Sequence, residues 1–266
     1  GERLIMAPKT RLKALQRSLL TLLLEKLPVP PQAHAFCKGR SIKTGAAAHV
    51  GKAVVVKMDL ENFFPSVTFP RVRGLFISLG YSYPVATTLA VLCTECERQP
   101  VLVEDQLYQV PVGRRHCVQG APTSPAICNQ IAARLDHRLA GLARKLGFSY
   151  TRYADDLVFS GDDASKVKSL LGLARRIVGD EGFRVNPKKT AIRRQASRQT
   201  VTGVVVNQTL GLSRQERRKM RAQIHRLSQQ STVDPGEQRV LMGRLAYLHM
   251  LNPEQAASLR RQLPGG

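Results

Sequence analysis

Acidic residues, cysteines and long apolar runs are all scarce in this chain, and each shortage closes off a class of protein. With 19 Asp and Glu against 41 Lys and Arg, the formal net charge is +22, a field that attracts polyanions and repels basic partners. Nucleic acid is the first candidate partner; a membrane surface, or charge kept only for solubility, is the bland alternative. Five cysteines at irregular spacing are an odd set that builds no disulfide framework and suits a reducing compartment. Cys93 and Cys96 form one CxxC, but no second Cys or His pair stands at finger spacing. Helical periodicity there predicts both thiols on one buried face, which argues against zinc. No stretch reaches the roughly 20 apolar residues of a membrane span. The run over 19–24 is broken by Glu25 and Lys26, and no cleavable signal precedes it. A cytoplasmic protein with no membrane partner is the expectation. What remains is a 43% hydrophobic share over 266 residues, enough for one large or two modest globular domains.

Patterning along the chain predicts an α+β fold. A short extended piece leads into an amphipathic helix over about 11–27, halted by Pro28, Pro30 and Pro31. "KAVVVKMDL" (52–60) is a β-branched run suited to a strand buried on both faces. Helical patterns follow over 69–80 and 84–98, then a hairpin in "VLVEDQLYQVPVG", and after Pro122 a long helix to about 146. In "SYTRYADDLVFSG" (149–161) apolar residues alternate on both sides of Asp155 and Asp156, as in a hairpin with the acids at its turn. An amphipathic helix over 162–182 has Asp163 and Ser165 as N-cap candidates, and "FRVNPKK" and "TVTGVVVN" supply further strands. From about Ser213 a basic helix begins, followed after "VDPGE" by a second helical segment to about 263, together read as a small helical unit. The order predicts a palm-like antiparallel sheet backed by helices, with no internal repeat.

Asp is a common turn residue, so a solvated turn is the plain reading of Asp155 and Asp156. Asp59 argues for more. It ends the predicted strand "VVVKMD", and a strand-terminal carboxylate beside a turn pair puts three acids at one sheet end, where they repel. Divalent cations relieve that repulsion, and hard oxygen ligands suit Mg²⁺. Two ions about 3.5–4 Å apart can activate an attacking hydroxyl and stabilise a leaving oxygen in phosphoryl displacement. Nucleoside triphosphates are then the substrate class, and the surplus positive charge holds a polyanionic template and primer.

These residues carry a family resemblance. Tyr153-Ala154-Asp155-Asp156 resembles the YxDD box of reverse transcriptases, and "KMDLENFFPSV" is similar to the strand that supplies that family's first metal-binding aspartate, here Asp59. "QGAPTSPAICN" (119–129) resembles the QGxPxSP segment, "ERLIMAP" the fingers segment RxIxxP, and "NPKKT" the NxxKT segment. The resemblance implies a right-hand polymerase fold: fingers over 1–50, palm with inserted fingers elements over 51–210, and a helical thumb over 211–266. It implies RNA-templated DNA synthesis from dNTPs, with Asp59, Asp155 and Asp156 as catalytic ligands of two Mg²⁺. Arg3 would grip the triphosphate and Gln119 would lie near the incoming nucleotide. Phe64, five residues after Asp59, would crowd a 2′-OH; an ordinary core aromatic is its alternative. Lys189 is either a proton donor or phosphate contact, or a solvated surface lysine.

"VTGVVVN" (201–207) resembles the VTG segment of bacterial retron reverse transcriptases, and "GRSIKTGAAAH" their region leading to an NAxxH motif. Gly45 departs from that motif's Asn, leaving Ala46 and His49, the latter otherwise a helix-surface or satisfied interior residue. The retron resemblance implies a cognate structured non-coding RNA as template and primer, priming from the 2′-OH of an internal guanosine, and a branched RNA–DNA product, msDNA. Thr202, Arg214, Arg217, Arg218 and Arg221 would contact that RNA, with Lys219 and Arg226 on the same basic helix. Antiviral defence with a partner effector protein is the implied setting. Gly1 stands almost at the fingers motif, so a trimmed or processed core is expected. A group II intron-like enzyme, a catalytically silent RNA-binding scaffold, and an RNA polymerase or primase, which Phe64 disfavours, remain alternatives.

Overall fold

The computed structural model describes residues 5–229 and 234–262. Helix α1 (Thr10–Leu22) gives way to a 3₁₀ turn at Leu24–Lys26, so the helix expected to 27 ends early. Leu24, only 1% exposed, is drawn into the core there. Helix α2 (Ile42–Ala47) starts at a capping box in which Ser41 and Thr44 satisfy each other's backbone N–H. Strand β1 (Val54–Asp59) follows, then helices α3 (Phe63–Ser66), α4 (Phe69–Ser78) and α5 (Tyr83–Cys93). Helix α5 stops five residues short of its predicted end. Residues 95–98 instead join a long hairpin of β2 (Glu95–Val103) and β3 (Gln106–His116), so the buried thiols of Cys93 and Cys96 do not share a helix face. The hairpin turns at Glu104 and Asp105, at φ 49° and 60°, the two positive angles that match strand twist.

The long helix expected after Pro122 is two, α6 (Ser124–Ile131) and α7 (Ala133–Leu146), broken at Ala132. Strands β4 (Phe148–Tyr153) and β5 (Asp156–Gly161) form the predicted acidic hairpin, and α8 (Val167–Asp180) follows a turn capped by Asp163. "FRVNPKK" is not a strand. Val185 makes one bridge to Leu60 and Pro187–Lys189 coil into a 3₁₀ turn, because Pro187 lacks an N–H for a ladder. The strand instead lies just beyond, β6 (Ala191–Arg194). Short strands β7 (Thr200–Val201) and β8 (Val204–Val205) precede helices α9 (Arg214–Ser228), α10 (Pro235–Leu251) and α11 (Pro253–Arg260). The last predicted helical segment is therefore two, split at Asn252, whose side chain caps α11.

The central sheet is antiparallel in the order β4-β5-β1-β6. Alternation along the strands divides its side chains between two cores. Val54, Val56, Met58, Leu157 and Phe159 meet residues from α4 to α8 on one face. Val55 and Val158 meet Val201, Val204 and the apolar residues of α9, α10 and α11 on the other. Covered on both faces, β1 reads as the unbroken valine run of the sequence.

Two polar clusters are buried with this sheet. On its first face Arg152, fully buried, donates from Nε and Nη2 to both carboxylate oxygens of buried Asp136 at 2.8 and 2.7 Å. The Tyr150 hydroxyl donates to Asp136 Oδ1 at 2.9 Å. Burial alone would disfavour the charged guanidinium, but the Asp136 charge outweighs it and raises the Arg152 pKa. On the second face His49 lies between Ser160 Oγ and Thr151 Oγ1, each 2.7 Å from a ring nitrogen. It is the satisfied interior histidine. Gly45 packs under His34, whose Cβ would lie 3.4 Å from an added Cβ, and His34 Nδ1 is 2.9 Å from Thr44 Oγ1.

Breaking the ion pair is costly because it leaves a buried charge unpaired. Asp136→Leu is expected to lose about 3–5 kcal/mol in denaturant unfolding, and Arg152→Met combined with Asp136→Leu to lose less than Asp136→Leu alone. Burial, with a contribution from His34, lowers the His49 pKa to about 4 from 6.5. The unfolded state therefore binds the extra proton first, so this stabilisation is full above pH 6.5 and is lost as pH falls towards 4. Melting curves across that window should fall more steeply for the wild type than for His49→Gln; equal slopes would contradict the assignment.

Candidate active site

Register brings the acids together. Asp59, the last residue of β1, stands directly opposite Asp156, the first of β5, and the Leu60 N–H donates to the Asp155 carbonyl at 2.9 Å. Directly opposed side chains on one sheet face lie about 4.5–5.5 Å apart at Cβ. Burial holds the Asp156 carboxyl above its usual range, the Asp155 and Asp59 charges add to this, and Lys57 and Lys189 oppose it. Beside the acids is a cavity of about 740 Å³ lined by Asp59, Asp155, Phe64, Gln119 and Lys189.

The turn that carries Asp155 is itself held from beneath. Tyr153 pairs with Asp156, so Ala154 and Asp155 are the two central residues, and Ala154 sits at φ 55°, an angle that costs a non-glycine residue about 1–3 kcal/mol. Arg152 Nη1 donates to the Ala154 carbonyl at 3.1 Å and to Asn129 Oδ1 of α6 at 3.0 Å. The guanidinium thus fixes the turn to α6 and α7 together.

Each remaining sequence-predicted residue has a definite place except Arg3, which lies outside the described residues. The described part of its segment, from Ile5, reaches the site: the Met6 N–H donates to the Gln119 carbonyl at 2.9 Å. Gly120, at φ 109°, lets the two segments approach so closely that an added Cβ would stand 2.9 Å from the Met6 oxygen. Phe63 stacks on Phe183 in the core at 5.8 Å, while its neighbour Phe64 lines the cavity, edge-on to Phe63 at 5.7 Å and to Phe36 at 6.3 Å. Lys189 is exposed, with 53% of its side chain accessible, and it also holds an ion pair. Its Nζ is 2.9 Å from Asp59 Oδ1, brought there because the Asn186 N–H donates to the Asp59 carbonyl at 2.8 Å.

The expected RNA contacts lie apart from this cavity. Thr202 at φ 47° and Gly203 at φ 83° make the turn between β7 and β8, a rare conformation for a β-branched residue. The Thr202 hydroxyl is buried with no hydrogen-bond partner. Arg214, Arg217, Arg218 and Arg221 fall at the i, i+3, i+4, i+7 spacing of one helix face on α9. Arg217 is half-buried and the other three exposed. Arg226 is paired with Glu237 at 2.9 Å. Sequence reasoning missed Asp136, Arg152 and Phe36. A signal existed for the first two: Asp136 interrupts the buried stripe Leu135, Leu139, Ala143 of α7, and Arg152 occupies an inward position of β4.

Among the described residues no three His, Cys, Asp or Glu side chains close on one point as a ready metal cage. The donor chemistry nevertheless fits a hard divalent ion, since the three acids are carboxylates that crowd each other electrostatically. Hard divalent ions draw further oxygens from water and substrate phosphate.

Residues 1–206 match the family model described as reverse transcriptase (RNA-dependent DNA polymerase). The retron Mx65 reverse transcriptase of Myxococcus xanthus is 62% identical over 100% of this chain and 62% of its own length. The retron Mx162 reverse transcriptase of the same organism is 43% identical over 99% of this chain and 58% of its own. The chain thus spans about three fifths of these relatives. A Candida albicans telomerase structure with a telomeric RNA fragment aligns with 97% of this chain and 44% of its own, at 12% identity and TM-score 0.47. With its antiparallel sheet backed by helices and carboxylates at the strand ends, the chain belongs to the reverse transcriptase family, where its relatives are bacterial retron members.

Proposed function

We propose that the chain is the polymerase core of a retron-type RNA-directed DNA polymerase, with fingers over 1–50, palm over 51–210 and thumb over 211–266. The observation that carries this reading is the β1–β5 register, which sets Asp59 opposite Asp156 with Asp155 at the adjoining turn, beside one cavity that also holds Phe64 and Gln119. The substrates are dNTPs and a primer 3′ end, or the 2′-OH of an internal guanosine, on a cognate structured RNA. The product is an RNA–DNA hybrid of the msDNA type.

Asp59, Asp155 and Asp156 would hold two Mg²⁺, which supply activation of the attacking hydroxyl and stabilisation of the leaving oxygen. Lys189, paired with Asp59, would offer its ammonium to triphosphate oxygens. Arg3 and Gln119 bind the incoming nucleotide from the fingers side. Phe64 fills the space a 2′-OH would need, its ring held by Phe63 and Phe36. The α9 stripe of Arg214, Arg217, Arg218 and Arg221, with Thr202, contacts phosphates of the RNA. An effector protein and a cytoplasmic setting belong to the same reading; no described helix is long and apolar enough to cross a membrane.

Primer extension on an RNA template with Mg²⁺ tests the proposal. Extension with dNTPs is expected, and its loss below detection in Asp155→Ala combined with Asp156→Ala; a folded, RNA-binding wild type that extends nothing would support a silent scaffold instead. Phe64→Ala should raise the ratio of ribonucleotide to deoxynucleotide incorporation about tenfold, and an unchanged ratio removes Phe64 as the sugar gate. For the RNA face, log Kd against log salt for Arg218→Ala combined with Arg221→Ala should flatten by about one unit per arginine.

A further inference from the structure

Phe36 is unlike the other aromatics near the cavity. It is 53% exposed, at φ 58° in the left-handed region, and a bulky residue persists there only when its surroundings over-determine it. They do. The preceding residues are tied to β4 by the His34 N–H to the Arg152 carbonyl at 2.8 Å, and Asn129 Nδ2 donates to the Ala35 carbonyl at 2.9 Å. Arg40 Nη1 donates to the carbonyls of Pro30 and Ala33 at 2.5 and 2.6 Å. A rigid loop therefore presents an aromatic ring to solvent, against both the desolvation preference of the ring and the conformational preference of the backbone.

The ring stands at a junction. It lines the carboxylate cavity beside Phe64, and it also lines a second groove of about 780 Å³ on the side of α6. That second groove carries Lys26, Lys38 and Gln130 on its walls, with Glu25 as an opposing acid. Lys26 and Lys38 are exposed, and neither takes part in an ion pair among the described residues. An exposed aromatic face between a cationic groove and a nucleotide cavity is the arrangement that binds single-stranded nucleic acid: lysines follow the phosphates and the ring takes a base.

We propose that Phe36 is a specificity-determining contact for the templating nucleobase, at the point where unpaired template passes from the Lys26–Lys38 groove into the carboxylate cavity. The inference rests on the polymerase reading above and deepens it. Because the ring also braces Phe64, the template base and the sugar of the incoming nucleotide are sensed by two aromatics in contact.

The test uses the full chain bound to an RNA template and DNA primer, with 2-aminopurine at the templating position and unpaired template beyond it. Two readouts are taken, fluorescence and single-nucleotide incorporation, for the wild type, Phe36→Ala and Phe36→Tyr, with melting temperatures as a check on folding. Expected for Phe36→Ala are a rise in 2-aminopurine fluorescence and an increase of about tenfold in the KM for dNTP, with kcat changed less than about threefold; Phe36→Tyr should stay near wild type. Fluorescence and KM both within about twofold of wild type in Phe36→Ala would overturn the assignment. Should the wild type bind the template–primer without extending it, the polymerase reading fails, and the fluorescence difference alone still decides whether Phe36 holds the base.

Discussion

The ion pair between Arg152 and Asp136 is the interaction on which the arrangement of the site depends. Taking both groups out of water costs several kcal/mol per ion, an expense offset only by complete hydrogen bonding. The network here is close to complete: Asp136 accepts from Nε and Nη2 of Arg152 and from the Tyr150 hydroxyl, while Nη1 reaches Asn129 and the Ala154 carbonyl. The Arg152 backbone also donates to the Gln32 carbonyl and accepts from the His34 N–H, at 2.7 and 2.8 Å. One residue thus joins β4, α6, α7, the carboxylate turn and the loop of Phe36. An apolar core could have packed as well; what the pair adds is direction, because each hydrogen bond fixes where a neighbouring element stands.

That directional control matters because the acids resist being brought together. Asp59 and Asp156 meet only because six residues of β1 pair in register with six of β5, and a one-residue slip would send one of them to the opposite face. The sheet is pinned against such a slip on both sides. Valines and aromatics alternate between two cores, and His49 bridges Ser160 and Thr151 across neighbouring strands. Within a chain of +22 net charge, this small acidic cluster is held where Lys57 and Lys189 moderate it. The carboxylates at its centre suit hard metal ions.

Helices α9, α10 and α11 are joined to the sheet by apolar packing. The buried face of α9, with Met220, Ile224 and Leu227, shares a cluster with Val55 and Val158 of the sheet. The small helical unit read from composition therefore covers the second sheet face, and Arg214, Arg218 and Arg221 of its stripe remain exposed. Tyr247 of α10 is close enough to Glu216 and Tyr153 that both charges reinforce the rise that burial gives its pKa, which sets α10 beside the residue preceding the carboxylate turn.

Much of this was legible in the chain itself. The valine run announced a strand covered on both faces, and alternation around Asp155 and Asp156 announced their hairpin, because periodicity of side-chain burial is written in local order. The ordered segments around Asp59, Gln119 and Lys189 likewise identified the family and most of the cavity wall. Local signals failed where a neighbour decided the outcome. Helix α5 yielded its last turn to the β2–β3 ladder, the strand expected before Lys189 was displaced beyond Pro187, and the basic residues of α9 separated into a stripe and an ion pair only once a core face was chosen. Arg152, Asp136 and Phe36 lay beyond sequence reasoning for the same reason. Their roles depend on partners 16 residues away in the first pair, and, for Phe36, on contact with Phe64 at the cavity wall. Residue order determined which segments could become strands, helices and acids at a turn; only tertiary packing decided which charges would be buried together, because desolvation and partnership are properties of the folded neighbourhood.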